Sequence, residues 1–373
     1  MNFKISKRSF YNALQIVAKS ISSNSPIPAL SGIKIEVTND SIILTGSDAD
    51  ITIVKTISSS DEGVNLVVKE TGSIVIESRY ILEIVRKIDI DDIDIQIIDG
   101  CLTRISGGSS KFEINGIKSS EYPVIDLVKP NQQLKISSDI LLKIINQTSF
   151  ATSDKETRPV LTGVNFKTNE NKLECTATDS YRLARKIIEL ETENNFNITI
   201  PSKSLNEVSK IIEKDTEILV CISDRKAQFW IEDVLVQTRL IEGVYPETSR
   251  LIPQSFDYEL TMDSRDILNA VDRASFIKNE GISIIKLAMN SDEVVISSKS
   301  QEVGSSTENV SIISYEGAPL DISFSGRYVF EAIRVLSATT IKIKFSGEMK
   351  PFIICNEKDD SVIQLVLPVR TYN

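Results

Sequence analysis

Between residues 158 and 185 the chain reads RPVLTGVNFKTNENKLECTATDSYRLAR. Polar and apolar positions alternate over 164–167 and again over 173–176, the period of a half-buried strand, with a polar turn between them. The second strand runs into a Thr-Asp-Ser-Tyr-Arg-Leu hook at 178–183. The same skeleton stands near the N-terminus. Leu30-Ser31-Gly32-Ile33-Lys34-Ile35 matches Leu161-Thr162-Gly163-Val164-Asn165-Phe166, and Thr45-Gly46-Ser47-Asp48 matches Thr176-Ala177-Thr178-Asp179. Both matches share an offset of about 130 residues, so strands and turn correspond. A third copy is worn: Ile285-Lys286-Leu287 and Val294-Val295-Ile296-Ser297 keep the alternation and lose the Gly and Asp.

Helical periodicity repeats in step. Serines at 6, 138 and 264 each open an amphipathic stretch (SKRSFYNALQIVAKS, SDILLKIINQTSF and SRDILNAVDRASFI), and each is expected to cap its helix through the side-chain oxygen. In the first, Phe10, Leu14, Ile16 and Val17 fall at helical spacing. A second helix is expected from Ser78, Ser202 and Ser325. Alternating strands follow at DIDIQII, EILVCI and TIKIKF, then at KFEI, QFWI and PFII, which place Phe112, Phe229 and Phe352 equivalently. Glu121-Tyr122-Pro123 and Val244-Tyr245-Pro246 close the first two units, proline pinning an extended exit. Such ordered self-similarity predicts three α+β domains, each with two helices on antiparallel sheet, over residues 1–129, 130–252 and 253–373.

Composition narrows the chemistry. At 373 residues the chain exceeds one ordinary core. No apolar run reaches the roughly 20 residues of a membrane span, the N-terminus lacks a signal-peptide core, and a cytoplasmic protein is expected. The four cysteines are far apart without a C-x-x-C pair, which favours reduced thiols over disulfides or a metal site. Histidine is absent, removing the commonest general base and zinc ligand. The acidic pairs Asp48 with Asp50 and Asp91 with Asp92 raise magnesium binding, but the repeat partner Asp179 makes turn capping the simpler role for Asp48. Gly107-Gly108 reads as a hairpin turn, and no nucleotide-binding glycine loop follows a strand. Neither an enzyme nor a cofactor is indicated.

Net charge is −10, which argues against nucleic acid until the charges are placed. Residues 6–20 carry +3 and residues 78–88 carry +2, from Lys7, Arg8, Lys19, Arg79, Arg86 and Lys87 against Glu83. The fourth helix adds Lys203 and Lys210. Two readings stand: exposed helix faces kept wet by cations, or a positive helical surface suited to a phosphate backbone touched without reading sequence. Few aromatics accompany these cations, so a duplex fits better than a stacked single strand.

Four stretches in order, ATSDKETRPVLTGV, TATDSYRLA, EGVYPETSRLIP and LVLPVR, resemble the bacterial sliding clamp family, the beta subunit of DNA polymerase III, and the resemblance spans the whole chain. It implies the DNA clamp fold: a head-to-tail homodimeric ring with helices lining the hole. It implies encirclement of double-stranded DNA and tethering of the replicative DNA polymerase, an ATP-dependent clamp loader, other polymerases and repair proteins through short peptide motifs. The family's subunit contact maps to Phe112 and to Phe276-Ile277. Its peptide pocket maps to Leu161, Thr178, Ser180, Tyr181, Arg182 and Leu183, to Pro246, Arg250 and Leu251, and to Leu365, Leu367, Pro368, Val369 and Arg370. The leucines would form apolar wall, and Arg182, Arg250 and Arg370 would hold backbone carbonyls or a carboxylate.

Lys155 and Arg158 are further candidates for facing DNA. The chain departs from the family in three places: Ser180-Tyr181 where Gly-His or Gly-Tyr is common, Asn24 where an arginine is common, and a Thr371-Tyr372-Asn373 tail that would shade the pocket. The competing reading is a peptide-binding repeat scaffold without a DNA role.

Overall fold

The three alternation patterns fold as three variants of one unit. The computed structural model describes residues 1–22, 25–191, 193–278 and 281–370. The first unit runs β1 (Asn2–Ser6), α1 (Lys7–Ala18), β2 (Gly32–Val37), β3 (Ser41–Ser47), β4 (Ile51–Ser58), β5 (Val67–Glu70), β6 (Gly72–Glu77), α2 (Ser78–Lys87), β7 (Asp92–Asp99), β8 (Leu102–Gly107) and β9 (Ser110–Asn115). The second runs β10 (Gln132–Ser137), α3 (Ser138–Thr148), β11 (Gly163–Asn169), β12 (Lys172–Thr178), β13 (Arg182–Glu189), β14 (Asn197–Pro201), α4 (Ser202–Ile211), β15 (Glu217–Ile222), β16 (Lys226–Ile231) and β17 (Val234–Arg239). The third runs β18 (Tyr258–Asp263), α5 (Ser264–Ala274), β19 (Ile284–Met289), β20 (Val294–Ser300), β21 (Gly304–Val310), β22 (Ser314–Glu316), β23 (Leu320–Ser325), α6 (Gly326–Arg334), β24 (Thr340–Phe345), β25 (Phe352–Asn356) and β26 (Asp359–Val366).

By chain contacts the molecule has two compact units, Met1–Leu141 with Ser204–Leu240, and Leu142–Lys203 with Ile241–Asn373, and the division passes through the second repeat. The reason lies in the sheets. Within the first unit, β5-β1-β7-β8-β9 is one sheet, and β10-β15-β16-β17 of the second repeat joins β4-β3-β2-β6 of the first in an eight-stranded sheet. The joint is the antiparallel pair β17 and β4, from Val234↔Lys55 to Thr238↔Ile51. Within the second unit, β14-β11-β12-β13 continues into β26-β25-β24-β18-β22, and β21-β20-β19-β23 stands as a separate sheet. That joint pairs β13 with β26, from Arg182↔Val366 to Lys186↔Val362. By order in their repeats, β4, β13 and β21 are equivalent, as are β9, β17 and β26. Both joints therefore use the same two strand positions.

Helix α1 buries Phe10, Ala13, Leu14 and Val17, packs with α2, and lies on β3 and β4. Ile16, expected on that face, is only half-buried, and Ala13 takes its place in the core. Burying each large apolar side chain contributes about 1.5–3 kcal/mol. In the third repeat α5 packs with α6 over a core that includes Leu260, Ile285, Phe324, Phe345 and Phe352. The glycine repeated at 32 and 163 has a steric cause. A Cβ there would stand 2.9 Å from Ile76 O and 2.6 Å from Ile200 O, the backbone of the neighbouring strand.

Of the three serines expected to cap, at 6, 138 and 264, only Ser6 does so. Ser6 Oγ accepts the Ser9 N–H at 3.4 Å. At α3 the acceptor is Ser137, which takes the Ile140 N–H at 3.4 Å, while Ser138 Oγ accepts the Thr216 N–H and bonds Asp215. At α5, Asp263 caps by accepting the Arg265 N–H at 2.8 Å, and Ser264 Oγ donates to the Ala338 carbonyl. In each corrected case the preceding residue is the one still extended, so its side chain faces the open amides. Asp263→Ala is expected to lower stability by about 1 kcal/mol in urea unfolding.

Candidate functional site

The hook joins β12 to β13 in one tight turn. Asp179 Oδ1 accepts the N–H groups of Tyr181 at 2.9 Å and Arg182 at 3.0 Å, the turn-capping role expected of this aspartate. Thr178 Oγ1 accepts the Ser180 N–H and donates to Arg182 O, and the Thr178 N–H donates to the Tyr245 hydroxyl at 3.0 Å. Ser180 sits at φ 78°, the left-handed region that favours glycine. The turn leaves Tyr181 60% exposed and turns Arg182 inward.

Arg182 is not an open cation awaiting a ligand. It is buried, and its guanidinium is spent within the chain. Nε donates to Asp179 Oδ2 at 3.0 Å, Nη1 to Glu331, and Nη2 to the Phe150 carbonyl at 2.6 Å. Its plane lies 4.6 Å from the Tyr328 ring centroid and 5.1 Å from that of Phe150. Burial works to raise the Glu331 carboxyl, but the hydrogen bond and charge of Arg182, and then those of Arg327, hold it below the ordinary range. Burial raises the Tyr328 and Tyr245 hydroxyls, so both stay neutral donors and acceptors. Arg182 thus positions the hook.

The C-terminal strand continues alongside. Leu183 pairs with Leu365 across β13 and β26, and the Leu367 N–H donates to Tyr181 O at 2.9 Å. The Val369 N–H donates to Ser323 O at 2.7 Å. Leu183, Ile252, Ile353 and Leu365 form a small buried cluster with Phe256, Ile363 and Leu367 packed against it. The structure therefore gathers the hook, residues 365–369 and the turn Ser249–Leu251, which leads into Ile252. Leu161, Leu183 and Leu365, expected as groove wall, are buried in the chain's own core, Leu183 and Leu365 in the cluster beneath Leu367. The surface itself is Tyr181, Leu251 (48% exposed), half-buried Leu367, Pro368 and Val369, half-buried Pro246, and exposed Ser180, Arg250 and Arg370. Leu161 is fixed more remotely, through Ser153 N–H to Leu161 O at 2.8 Å. The Thr371-Tyr372-Asn373 tail and Asn24 lie outside the described residues.

Sequence reasoning missed Tyr328, Glu331, Phe150 and Tyr245. Tyr328 stacks on Tyr181, rings 6.5 Å apart and 22° from parallel. One signal was readable: Arg327-Tyr328 with Glu331 in α6 repeats Arg79-Tyr80 with Glu83 in α2.

Family profiles decide the lineage. Those for the N-terminal, central and C-terminal domains of the DNA polymerase III beta subunit match residues 1–126, 135–247 and 249–370 in turn. The chain belongs to the DNA polymerase III beta subunit family. A beta sliding clamp of Bacillus subtilis is 39% identical, covering 100% of each chain. The crystal structure of the DNA polymerase sliding clamp from Bacillus subtilis matches with a TM-score of 0.96 at 38% identity over 100% of both chains. The beta chain from Streptococcus pneumoniae matches at 0.95 with 33% identity, over 99% of this chain and 100% of that one. The fold is the three-domain sliding clamp fold, and the protein is a sliding clamp, a non-catalytic processivity factor in DNA replication.

On this clamp chain the cations singled out for DNA are mostly open. Arg8, Arg79, Arg86, Lys87, Lys155, Arg158, Lys203 and Lys210 are exposed, and Lys7 is half-buried. Some of that charge is shared: Arg86 and Lys87 reach the same Glu83 at 2.9 and 3.2 Å, and Lys210 reaches Glu207 at 2.8 Å. Such exposed pairs are weak and exchange readily for phosphate. Of the interface residues, Phe276 stands 80% exposed in the turn after α5, Phe112 is half-buried on β9, and Ile277 is buried in its own chain. Among the described residues no group of three or more acidic or thiol side chains is arranged to hold a metal. Asp48 Oδ1 is occupied by the Asp50 and Ile51 N–H groups. The four cysteines are free thiols, Cys175 and Cys221 buried. No described helix is long and apolar enough to cross a membrane.

Proposed function

We propose that two copies of this chain close head to tail into a ring around double-stranded DNA, with the six helices of each copy facing the duplex. The observation that supports it is the reuse of strand positions. Both internal joints pair a β9-type strand with a β4-type strand, β17 with β4 and β26 with β13. One strand of each type stays open: β9 has only β8 beside it and β21 only β20 among the described residues. Open edges invite pairing. Joining β9 of one copy to β21 of the next repeats the internal joint between subunits, a contact of unlike surfaces that closes once the rotation is complete. Phe112 on β9 and Phe276 beside the third domain's helix would then meet the partner copy, with Ile277 beneath as support. The domain limits in this reading are 1–129, 130–252 and 253–373.

The helix cations Lys7, Arg8, Arg79, Arg86, Lys87, Lys203 and Lys210, with Lys155 and Arg158 in a loop, contact phosphates without reading bases, so the duplex is held by enclosure and slides. The hook groove takes short peptides from the replicative polymerase, the ATP-dependent clamp loader, other polymerases and repair proteins in the cytoplasm. Tyr181, Leu251 and Leu367 offer the apolar contact, and Arg250 and Arg370 the charge. Tyr181→Ala with Leu251→Ala is expected to weaken a polymerase-derived partner peptide at least about tenfold, since truncating central anchors costs over 1 kcal/mol each. Both side chains are exposed, so the melting temperature should hold. Unchanged peptide affinity in a fluorescence-anisotropy titration would remove the groove from this surface.

A further inference from the structure

The first repeat carries the same backbone hook as the second, without the Tyr245 and Arg182 side-chain bonds that brace the second. Asp48 Oδ1 accepts the Asp50 and Ile51 N–H groups at 3.1 and 2.9 Å, as Asp179 Oδ1 accepts those of Tyr181 and Arg182. Ser47 Oγ accepts the Ala49 N–H and donates to Ile51 O, as Thr178 Oγ1 accepts the Ser180 N–H and donates to Arg182 O. Ala49 and Ser180 share a left-handed backbone at φ 81° and 78°. The adjoining strand follows suit: the Arg239 N–H donates to Asp50 O at 2.9 Å, as the Leu367 N–H donates to Tyr181 O.

Side chains differ where the backbone does not. The Leu183 and Leu365 pair of the second hook is replaced by Thr52 and Gln237 in the first. Beside this first hook lies a cleft of about 410 Å³. Ile27, Val124 and Ile125 line it, and Val124 is 100% exposed. Arg225, Lys226 and Arg239 line it as well. Lys226 is held by Asp126 at 2.9 Å, and Arg239 stands 3.9 Å from Asp50 with both side chains in solvent. Arg225 has no carboxylate partner among the described residues. An apolar wall beside an unpaired guanidinium is complementary to a carboxylate next to an aliphatic side chain.

We propose that this cleft is a second peptide groove of the clamp, taking a short acidic segment that sets a carboxylate on Arg225 and an aliphatic side chain against Val124 and Ile27. It rests on the reading of the second hook as a peptide groove, because the two hooks share one backbone. With Thr52 and Gln237 in place of two leucines, the cleft offers less apolar floor than the hook groove, so Arg225 carries more of its selectivity.

The test uses the full chain with ¹³C-labelled Ile, Leu and Val methyls and the probe peptide acetyl-Glu-Ile-Glu-amide. Methyls of Ile27, Val124 and Ile125 report the cleft, and those of Leu251 and Leu367 report the hook groove. Saturable shifts at the cleft methyls are expected, weakened about tenfold by Arg225→Gln and by the neutral probe acetyl-Gln-Ile-Gln-amide. Arg225 is exposed, so its loss leaves the fold intact. Shifts confined to Leu251 and Leu367 would overturn the cleft as a peptide site and leave the hook groove standing. Absent cleft shifts, or cleft shifts equal in Arg225→Gln, would also overturn it. Cleft shifts beside a hook groove that fails its own peptide titration would uphold this site and sink the other.

Discussion

Arg182→Ala should destabilise the chain by about 3–5 kcal/mol, the cost of leaving buried charge unpaired. The substitution removes the cation beside Asp179, leaves Glu331 with Arg327 alone, frees the Phe150 carbonyl, and removes the guanidinium stacked on Tyr328. The loss should depend on pH, and the sign follows from Glu331. Its folded-state carboxyl is held low, mainly by Arg182 acting against burial, so its contribution is complete above the unfolded glutamate value near ~4.3 and fades as pH falls through the lower folded value. In the alanine variant burial meets less opposition and Glu331 takes up a proton more readily. The gap between variant and parent should therefore be widest near neutrality and narrow toward pH ~3.5, below the unfolded glutamate value. Urea unfolding at the two pH values measures it. A gap that stays constant would mean that the network does not set the cost.

Phe276→Asp should weaken subunit association about a hundredfold while leaving the single chain folded. An exposed phenylalanine contributes little to its own chain, yet a buried aromatic at the centre of an interface carries 2 kcal/mol or more, and a charge there adds a desolvation cost. The nearby Arg273 is already paired with Glu308 on β21 at 2.9 Å, so it does not neutralise the new carboxylate. Sedimentation equilibrium should find monomer where the parent is dimer, with an unchanged melting transition at matched monomer content. A dimer of unaltered affinity would place the subunit contact on another surface.

Local patterns were legible in the sequence, and remote partners were not. The strands at 164–167 and 173–176, the turn at Asp179 and the hairpin at Gly107-Gly108 follow from alternation and from side chains that bond their own backbone. The caps slipped by one residue, because Ser137 and Ser138 are both capable acceptors and only backbone geometry chooses between them. Sheet fusion was beyond alternation. β17 and β4 each read as strands, but nothing in either says that Val236 pairs with Ile53. Arg182 was misjudged for the same reason: its partners Phe150 and Glu331 are distant in sequence, and an arginine in a turn looks solvated until they arrive. Of the residues expected in the groove, Tyr181 and Leu251 are exposed and Leu367 half-buried, while Leu161, Leu183 and Leu365 are buried in the core.

Enclosure is the central claim, and linearisation tests it most directly. The clamp is loaded with a clamp loader and ATP onto a nicked circular duplex, freed of unbound protein, and followed before and after a single restriction cut. A ring that holds DNA by topology with weak phosphate contacts should persist on the intact circle and run off quickly once ends exist. Release that proceeds at one rate before and after the cut would contradict encirclement.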